Sequence, residues 1–241
     1  MNLIIDAGNS LIKIAVFRGN SELFHEQFEL SQFVLKIKTI FDKFPNINNA
    51  IISSVGALDK KDIAVIGLFC NIHYLSYKTK TPFKNSYATP ETLGVDRIAL
   101  ATAAFYKNPK KNTLVIDAGT CITYDMINDY GEYLGGAISL GLNMRYKALH
   151  NQTAKLPLLE PEDILDFIGN STKGSIHSGV INGISVEING IIDQYQARFK
   201  DLTVILTGGD AQFLSKRTKN TIFANPKFLL EGLNYLLEYN K

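Results

Sequence analysis

The sequence predicts an α/β protein built from two duplicated domains. An apolar run followed by Asp-Ala-Gly occurs twice, at residues 3–8 and again at residues 114–119. After each copy the pattern continues with further strands and then with alternating helices and strands. A polar stretch containing a proline, residues 108–112, precedes the second copy and is typical of a boundary. We therefore expect an N-terminal domain over residues 1–108 and a C-terminal domain over residues 109–241, with a ligand cleft between them.

The first half begins with strands and continues with helices that alternate with strands. Apolar and β-branched runs predict strands at residues 3–6, 12–17, 21–28, 50–55 and 73–75. Helical spacing of apolar residues predicts helices at residues 30–44, 59–69 and 92–106. Ser31 is the expected N-cap of the first helix, and Pro45 follows its end. Residues 78–90 are polar and contain two prolines, so they predict a surface loop.

The second half repeats this order. Strands are predicted at residues 113–117, 121–127, 133–139 and 202–206, the last ending in a Gly-Gly turn at residues 207–210. Helices are predicted at residues 141–150, 172–199 and 225–239. The long helix at 172–199 is rich in Gly, Ser and Ala. Small residues of this kind indicate close packing against another helix, including one from a second subunit.

Composition and charge restrict the function classes. The chain has 241 residues, 46% of them hydrophobic and 20% charged, which is typical of a globular protein with a sizeable core. A net charge of +2 gives no general attraction to nucleic acid or to an anionic membrane, so we expect neither as a partner. The two cysteines form no CxxC pair, which argues against structural zinc and against disulfides. Without a signal-like segment or an apolar run of about 20 residues, the expected location is the cytoplasm.

The two Asp-Ala-Gly segments predict a site for a polyphosphate. In each, a buried strand carries an Asp to a tight turn, and the glycine lets backbone N–H groups approach a ligand closely. A carboxylate at such a strand end is a hard oxygen ligand suited to Mg²⁺. The alternative is a plain hairpin turn, with Lys13 as a solvated charge.

Five short elements then narrow the interpretation. In chain order they are DAGNSLIK at 6–13, GVDR at 94–97, DAGT at 117–120, GGAISLG at 135–141, and Ser171-Thr172 ahead of Ile176 and Gly179. With these elements in order, the sequence resembles the type III pantothenate kinases of the actin, sugar-kinase and heat-shock-ATPase superfamily over nearly its whole length. Ser10 stands where that family has Thr. Leu140 stands where it usually has Pro, which loosens the backbone φ at that turn.

The resemblance implies a fold and an activity. It implies two actin-like (ribonuclease-H-like) α/β domains and the ATP-dependent phosphorylation of pantothenate to 4'-phosphopantothenate, the first step of coenzyme A biosynthesis. It also implies Mg²⁺, a monovalent cation (K⁺ or NH₄⁺), and a homodimer with shared active sites.

Roles for individual residues follow from the same resemblance. Asp96 is the catalytic base that accepts the proton of the substrate hydroxyl, and Arg97 suits the single carboxylate of pantothenate. Asp6 is assigned to Mg²⁺ and Asp117 to K⁺. The implied ATP-binding set is Asp6, Ala7, Gly8, Asn9, Ser10, Leu11, Ile12, Lys13 and Thr120. The implied substrate-binding set is Tyr87, Gly94, Val95, Asp96, Arg97 and Thr172, the last reaching the substrate from the neighbouring subunit.

Structural roles are the alternatives for several of these residues. Asp96 is then a helix-capping Asp paired with a surface Arg97, Tyr87 a loop aromatic, Thr172 a helix N-cap, and Asp117 a turn-forming residue. Three other functions also stay open. They are a kinase for another small hydroxy compound, an ATP- or pantothenate-binding regulator without turnover, and a filament-forming actin relative, for which the chain is short.

Overall fold

The computed structural model describes residues 1–8, 11–54, 58–164 and 166–241. Two compact units make up the chain. Unit 1 contains Met1–Lys107 together with Lys227–Lys241, and unit 2 contains Asn108–Pro226. Among the described residues, the helices are all too short or too polar to cross a membrane.

Unit 1 is built on a sheet whose strands follow the order β3-β2-β1-β4-β5. The strands of this sheet are β1 Asn2–Ala7, β2 Ile12–Arg18, β3 Ser21–Phe28, β4 Asn49–Ser54 and β5 Asn71–Tyr74. The two-residue strand β6, Lys84–Asn85, is not part of it. Its first three helices are α1 Phe33–Lys43, α2 Lys60–Gly67 and α3 Val95–Lys107. One face of β1 and β2 forms the core with residues of α1 and α2, including Ile37, Ile40 and Ile66. The opposite face of β1 carries Ile4 and Asp6, because side chains alternate along a strand.

Unit 2 repeats this arrangement. Its strands are β7 Thr113–Ala118, β8 Cys121–Ile127, β9 Glu132–Leu140, β10 Thr203–Thr207 and β11 Phe223–Ala224. They lie in the order β11-β10-β7-β8-β9. The helices that follow are α4 Leu142–Asn151, α5 Thr172–Arg198, α6 Ala211–Ser215 and α7 Phe228–Tyr239, the last belonging to unit 1. Helix α5 packs on the face of β7 and β8 that carries Leu114, Ile116 and Tyr124.

The two sheets have the same topology. In unit 1, β1 is antiparallel to β2 and parallel to β4. In unit 2, β7 is antiparallel to β8 and parallel to β10. Each Asp-Ala-Gly segment therefore ends the central strand of its own sheet. This repetition confirms the predicted duplicated α/β fold.

Helix α7 belongs to unit 1, although its residues lie within the predicted C-terminal domain. Its backbone lies so close to α3 that a Cβ atom on Gly232 would be 2.0 Å from the carbonyl oxygen of Ala99. Asn234 also accepts a hydrogen bond of 2.8 Å from Asn2, at the start of β1. The division into 1–108 and 109–241 remains a prediction, with residues 227–241 grouped in unit 1. An amphipathic pattern shows that a helix has an apolar face, but not which sheet that face covers.

Several element boundaries differ from the predicted ones. Helix α1 begins at Phe33, after a 3-10 turn at Leu30–Gln32, so its N-cap is Gln32 and not Ser31. A second 3-10 turn at Pro90–Thr92 delays the start of α3 to Val95. The short β6, β11 and α6 were not predicted because hydrophobic periodicity needs a longer segment to be visible.

Candidate active site

Asp6 lies near the end of β1, between two polar neighbours. In the sheet it is directly opposite Lys13 of β2 and Ser53 of β4. Burial raises the pKa of the Asp6 carboxyl to about 6, and the nearby Asp96 adds to this effect. The charge of Lys13 and a hydrogen bond from Ser53 oppose it. A strongly raised pKa with specific charged neighbours is typical of functional sites.

The described part of the turn after Asp6 contains Gly8 and the exposed Leu11. The Gly8 N–H donates to the Leu11 carbonyl at 3.2 Å, and a Cβ at Gly8 would be 3.3 Å from that oxygen. Ala7 and Ile12 are buried in the core of unit 1, so their side chains do not reach a ligand. Asn9 and Ser10, the other predicted ATP contacts in this turn, lie outside the described residues.

Asp96 lies in the first turn of α3, as predicted from its position in the sequence. Its Oδ1 accepts a hydrogen bond of 2.9 Å from the Arg97 backbone N–H. A Cβ on Gly94 would lie only 2.4 Å from that oxygen, so the absence of a side chain at Gly94 leaves room for the carboxylate. Since Asp96 acts electrostatically on Asp6, the structure brings both carboxylates and Lys13 into one region of unit 1.

Arg97 is a buried cation that packs against an aromatic ring. Only 4% of the residue is exposed, which excludes the alternative of a surface Arg97 paired with Asp96. Its guanidinium carbon lies 5.6 Å from the centre of the Tyr87 ring, within the range of a cation–π contact. Two predicted substrate-binding residues are thus in contact, and Tyr87 orients the guanidinium.

In unit 2, Asp117 and the Gly-Gly turn meet at the ends of neighbouring strands. Asp117 of β7 is opposite Thr207 of β10 in the parallel ladder. Gly208 follows with φ +96°, and a Cβ there would lie 2.4 Å from both Asp117 Oδ1 and the Ala118 carbonyl oxygen. The Asp210 N–H donates to that same Ala118 carbonyl at 2.9 Å. Glycine is therefore required at 208, and the predicted Gly-Gly turn at residues 207–210 lies against the second Asp loop.

Thr120 is exposed at the tip of the second loop. A Cβ on Gly141 would lie 2.1 Å from the Thr120 carbonyl oxygen, so the residue before α4 packs directly against the backbone of this loop. Leu140, which stands where the family usually has proline, is the last residue of β9. The Leu140 carbonyl accepts a hydrogen bond of 3.0 Å from Arg145 Nε.

Thr172 is the first residue of α5 and is exposed. The N-cap is Ser171, whose hydroxyl accepts a hydrogen bond of 3.1 Å from the Gly174 N–H. The alternative role of Thr172 as N-cap is therefore wrong. Thr172 instead lines an apolar groove of about 760 Å³ in unit 2, together with Leu140 and Ile176.

Two polar residues beside the predicted site residues were missed in the sequence. Ser53 hydrogen-bonds Asp6, and Thr123 lies directly opposite Asp117 in the β7–β8 ladder. A hydroxyl near the end of a strand was the only available signal in either case, and such residues are common. Their significance appears only when the strand pairing is known.

The acidic residues fit a Mg²⁺ ion that takes most of its ligands from water and phosphate and few from the protein. Within the described ranges, no three His, Cys, Asp or Glu side chains are grouped as a metal site. Mg²⁺ commonly takes one or two carboxylates and completes its shell with water and phosphate oxygens. The single carboxylate of Asp6, beside the cationic Lys13, is compatible with that pattern.

Comparison with solved structures identifies the fold of the chain. The chain is similar in fold to the inorganic polyphosphate/ATP-glucomannokinase of Arthrobacter sp. strain KM, with a TM-score of 0.53, 15% identity and all of both chains covered. It is also similar to a Campylobacter jejuni protein assigned to the Baf family of transcriptional activators, with a TM-score of 0.66, 23% identity, and 99% and 98% of the two chains covered. These likenesses concern the fold alone, and they confirm the predicted actin-like class.

Sequence comparison then defines the family. A family model described as type III pantothenate kinase matches residues 2–194. A type III pantothenate kinase of Flavobacterium johnsoniae is 50% identical over 99% of this chain and 98% of its own length. One of Christiangramia forsetii is 52% identical over 100% and 99% of the two chains. The chain belongs to the type III pantothenate kinase family.

Proposed function

We propose that this chain is a cytoplasmic kinase that transfers the γ-phosphoryl group of ATP to the primary hydroxyl of pantothenate. The product is 4'-phosphopantothenate, and the reaction is the first step of coenzyme A biosynthesis. Family membership supports the reaction. The observation that supports the assignment of residues is that Asp96, in the first turn of α3, and Lys13, opposite Asp6 in the sheet, both lie close enough to Asp6 for their charges to act on its carboxyl.

Asp96 and Arg97 act on the acceptor substrate. Phosphoryl transfer has a loose transition state, so a base mainly orients the attacking hydroxyl and accepts its proton. Arg97 binds the carboxylate of pantothenate, and burial strengthens that interaction because few water molecules compete with it.

Lys13 and the two Asp loops act on ATP. Lys13 places positive charge beside the β- and γ-phosphates, and the loops that contain Gly8 and Thr120 contact ATP. Asp6 is the residue that holds Mg²⁺, which when bound neutralises charge on the phosphate oxygens.

Asp117 is the proposed ligand of the monovalent cation. Its Oδ1 and the Ala118 carbonyl oxygen both point toward Gly208, which has no side chain to fill the space between them. Oxygen atoms of these two kinds are the donors that alkali cations accept.

A homodimer is the proposed assembly. The exposed side of α5 carries Gly179, Gly183 and Gly190, and a Cβ on any of them would have no atom within 4 Å. Val186 on the same side is 69% exposed. The spacing places these residues along one face of the helix, so a second copy can approach closely. Val186→Glu is expected to convert the dimer to a monomer in light scattering, and a wild-type monomer would contradict the proposal.

The test of the proposed reaction is the formation of phosphopantothenate from pantothenate and Mg-ATP, with KCl or with NaCl. We expect Asp96→Asn to lower kcat by about 10²–10⁴, the range typical of a lost general base. Asparagine keeps the oxygen that accepts from the Arg97 N–H, so the start of α3 is retained.

The matched control is Asp62→Asn, since Asp62 is also an acidic residue in the first turn of a helix of unit 1. Its turnover should equal that of the wild type. Product formed at an undiminished rate by Asp96→Asn would remove the base role from Asp96. A folded protein that binds pantothenate but forms no product would support the regulator instead.

A further inference from the structure

Thr123 occupies in unit 2 the place that Lys13 occupies in unit 1. Lys13 is directly opposite Asp6 in the β1–β2 ladder, and Thr123 is directly opposite Asp117 in the β7–β8 ladder. Directly opposed side chains of an antiparallel pair lie on the same face, with Cβ atoms about 4.5–5.5 Å apart. The ammonium side chain of Lys13 therefore shares a face of its sheet with the Asp6 carboxylate, and the Thr123 hydroxyl shares a face of its sheet with the Asp117 carboxylate.

Asp125 fixes the orientation of the Thr123 hydroxyl. Thr123 Oγ1 donates its proton to Asp125 Oδ2 at 2.9 Å, and the Tyr133 hydroxyl donates to Asp125 Oδ1 at 2.7 Å. Asp125 is 1% exposed and Thr123 is 9% exposed, so little water competes for these bonds. A hydroxyl whose proton is committed in this way turns its oxygen lone pairs to its surroundings as acceptors.

We propose that Thr123 is the specificity-determining residue of the second Asp loop. The Thr123 hydroxyl oxygen, oriented by Asp125, and the Asp117 carboxylate together bind a monovalent cation. In unit 1 the ammonium group of Lys13 supplies the positive charge beside the equivalent carboxylate, Asp6. This inference rests on the proposed function, because it concerns the cation of that reaction. Asp125 is then a positioning residue, since it acts on the cation through Thr123.

The test replaces the hydroxyl and measures cation binding in two ways. Thr123→Val removes the oxygen at almost constant volume, and Thr123→Ser restores it. The probe is KCl, titrated against choline chloride at constant ionic strength, with the thermal midpoint of the full chain and the rate of phosphopantothenate formation as readouts. We expect Thr123→Val to raise the half-saturating KCl concentration about tenfold in both, as for the loss of one oxygen ligand to a charged group. Thr123→Ser should stay within about twofold of the wild type.

Controls separate cation binding from a general structural effect. Tyr133→Phe removes the other hydrogen bond to Asp125 and should leave the half-saturating KCl concentration nearly unchanged. Thr123→Lys should show activity in choline chloride without KCl, and its thermal midpoint should not respond to KCl. If Thr123→Lys fails to fold, Thr123→Val and Thr123→Ser decide the question.

Other outcomes overturn the inference. These are an unchanged half-saturating KCl concentration in Thr123→Val, an equal loss in Thr123→Ser, or a wild-type midpoint that does not respond to KCl. A change confined to the KM for pantothenate would assign Thr123 and Asp125 to substrate binding instead. Because the thermal titration needs no turnover, absence of phosphopantothenate formation would contradict the proposed function while the cation site is still measured.

Discussion

The two units have the same sheet topology but surround the loop carboxylate with different chemistry. Asp6 lies between Lys13 and Ser53, whereas Asp117 lies between Thr123 and Thr207. The shared topology determines where each carboxylate is placed. We propose that the neighbouring side chains determine what each carboxylate binds. In that proposal the ammonium group of Lys13 in unit 1 attracts phosphate oxygens, and the hydroxyl oxygens in unit 2 coordinate a small cation.

The turns that follow the two carboxylates also differ. Ala7 pairs with Ile12 and Ala118 with Ile122, so the connection between the paired strands is one residue longer in unit 1 than in unit 2. The Gly8 N–H accordingly donates to Leu11, and the Gly119 N–H to Cys121.

Replacement of each carboxylate tests this comparison most strongly. Asp6→Asn is expected to lower kcat by about 10²–10⁴ at any KCl concentration, because it removes the metal-binding charge. Asp117→Asn should lose the stimulation by KCl, so that its rate in KCl is no higher than its rate in choline chloride. The measurement is kcat as a function of MgCl₂ and of KCl for both variants.

The outcome that would contradict the comparison is the same response in both variants. If Asp6→Asn lost only the KCl response, the assignment of the two cations to the two units would be reversed. Asp62→Asn again serves as the control, since it removes a carboxylate of unit 1 that lies in the capping box of α2.

Sequence patterns predicted those features of the two units that depend on residues close together in the chain. A buried strand, an Asp and a tight turn are contiguous, so the repeat was visible, and the early strands and long helices followed from periodicity. The equivalence of Lys13 and Thr123 was not visible. Lys13 is seven residues after Asp6, and the residue seven positions after Asp117 is Tyr124. Because the connection in unit 2 is one residue shorter, Thr123 and not Tyr124 is paired with Asp117.

Contacts across long connections were not predictable either. Ser53 reaches Asp6 because β4 returns parallel to β1 after α1, and helical spacing does not fix that register. The contact of Gly232 with Ala99 depends in the same way on where α7 packs. The resemblance to a family named Asp96 and Arg97 as site residues, but the burial of Arg97 against Tyr87 comes from tertiary structure.

Alanine substitution of Gly208 in unit 2 and of Gly94 in unit 1 is expected to have different effects on stability and turnover. Gly208→Ala places a Cβ against backbone atoms of β7 at positive φ, and we expect it to destabilise the protein by about 3 kcal/mol. In Gly94→Ala the Cβ meets only the end of the Asp96 side chain, which can rotate away. That variant should keep nearly its full stability but lose kcat. Thermal or urea unfolding combined with kcat measurements separates the two effects.

A stable Gly208→Ala variant would show that the Asp117 loop has more room than these contacts allow. A Gly94→Ala variant with normal kcat would show that the position of the Asp96 carboxylate beside Gly94 does not matter for turnover. Gly19→Ala controls for strain at positive φ alone, because Gly19 has φ +57° and no atom within 4 Å of its Cβ position.

The smallest expected effect concerns the start of α5. Ser171→Ala removes the hydroxyl that accepts from the Gly174 N–H, and loss of an N-cap costs about 1 kcal/mol. Because Thr172 follows directly, fraying of this turn should raise the KM for pantothenate and leave kcat unchanged. Thr172→Ala should raise KM further without loss of stability, since its side chain is exposed. If Ser171→Ala lowered stability but left KM unchanged, the substrate contact would not depend on the order of this turn, and Thr172 would not belong to the site.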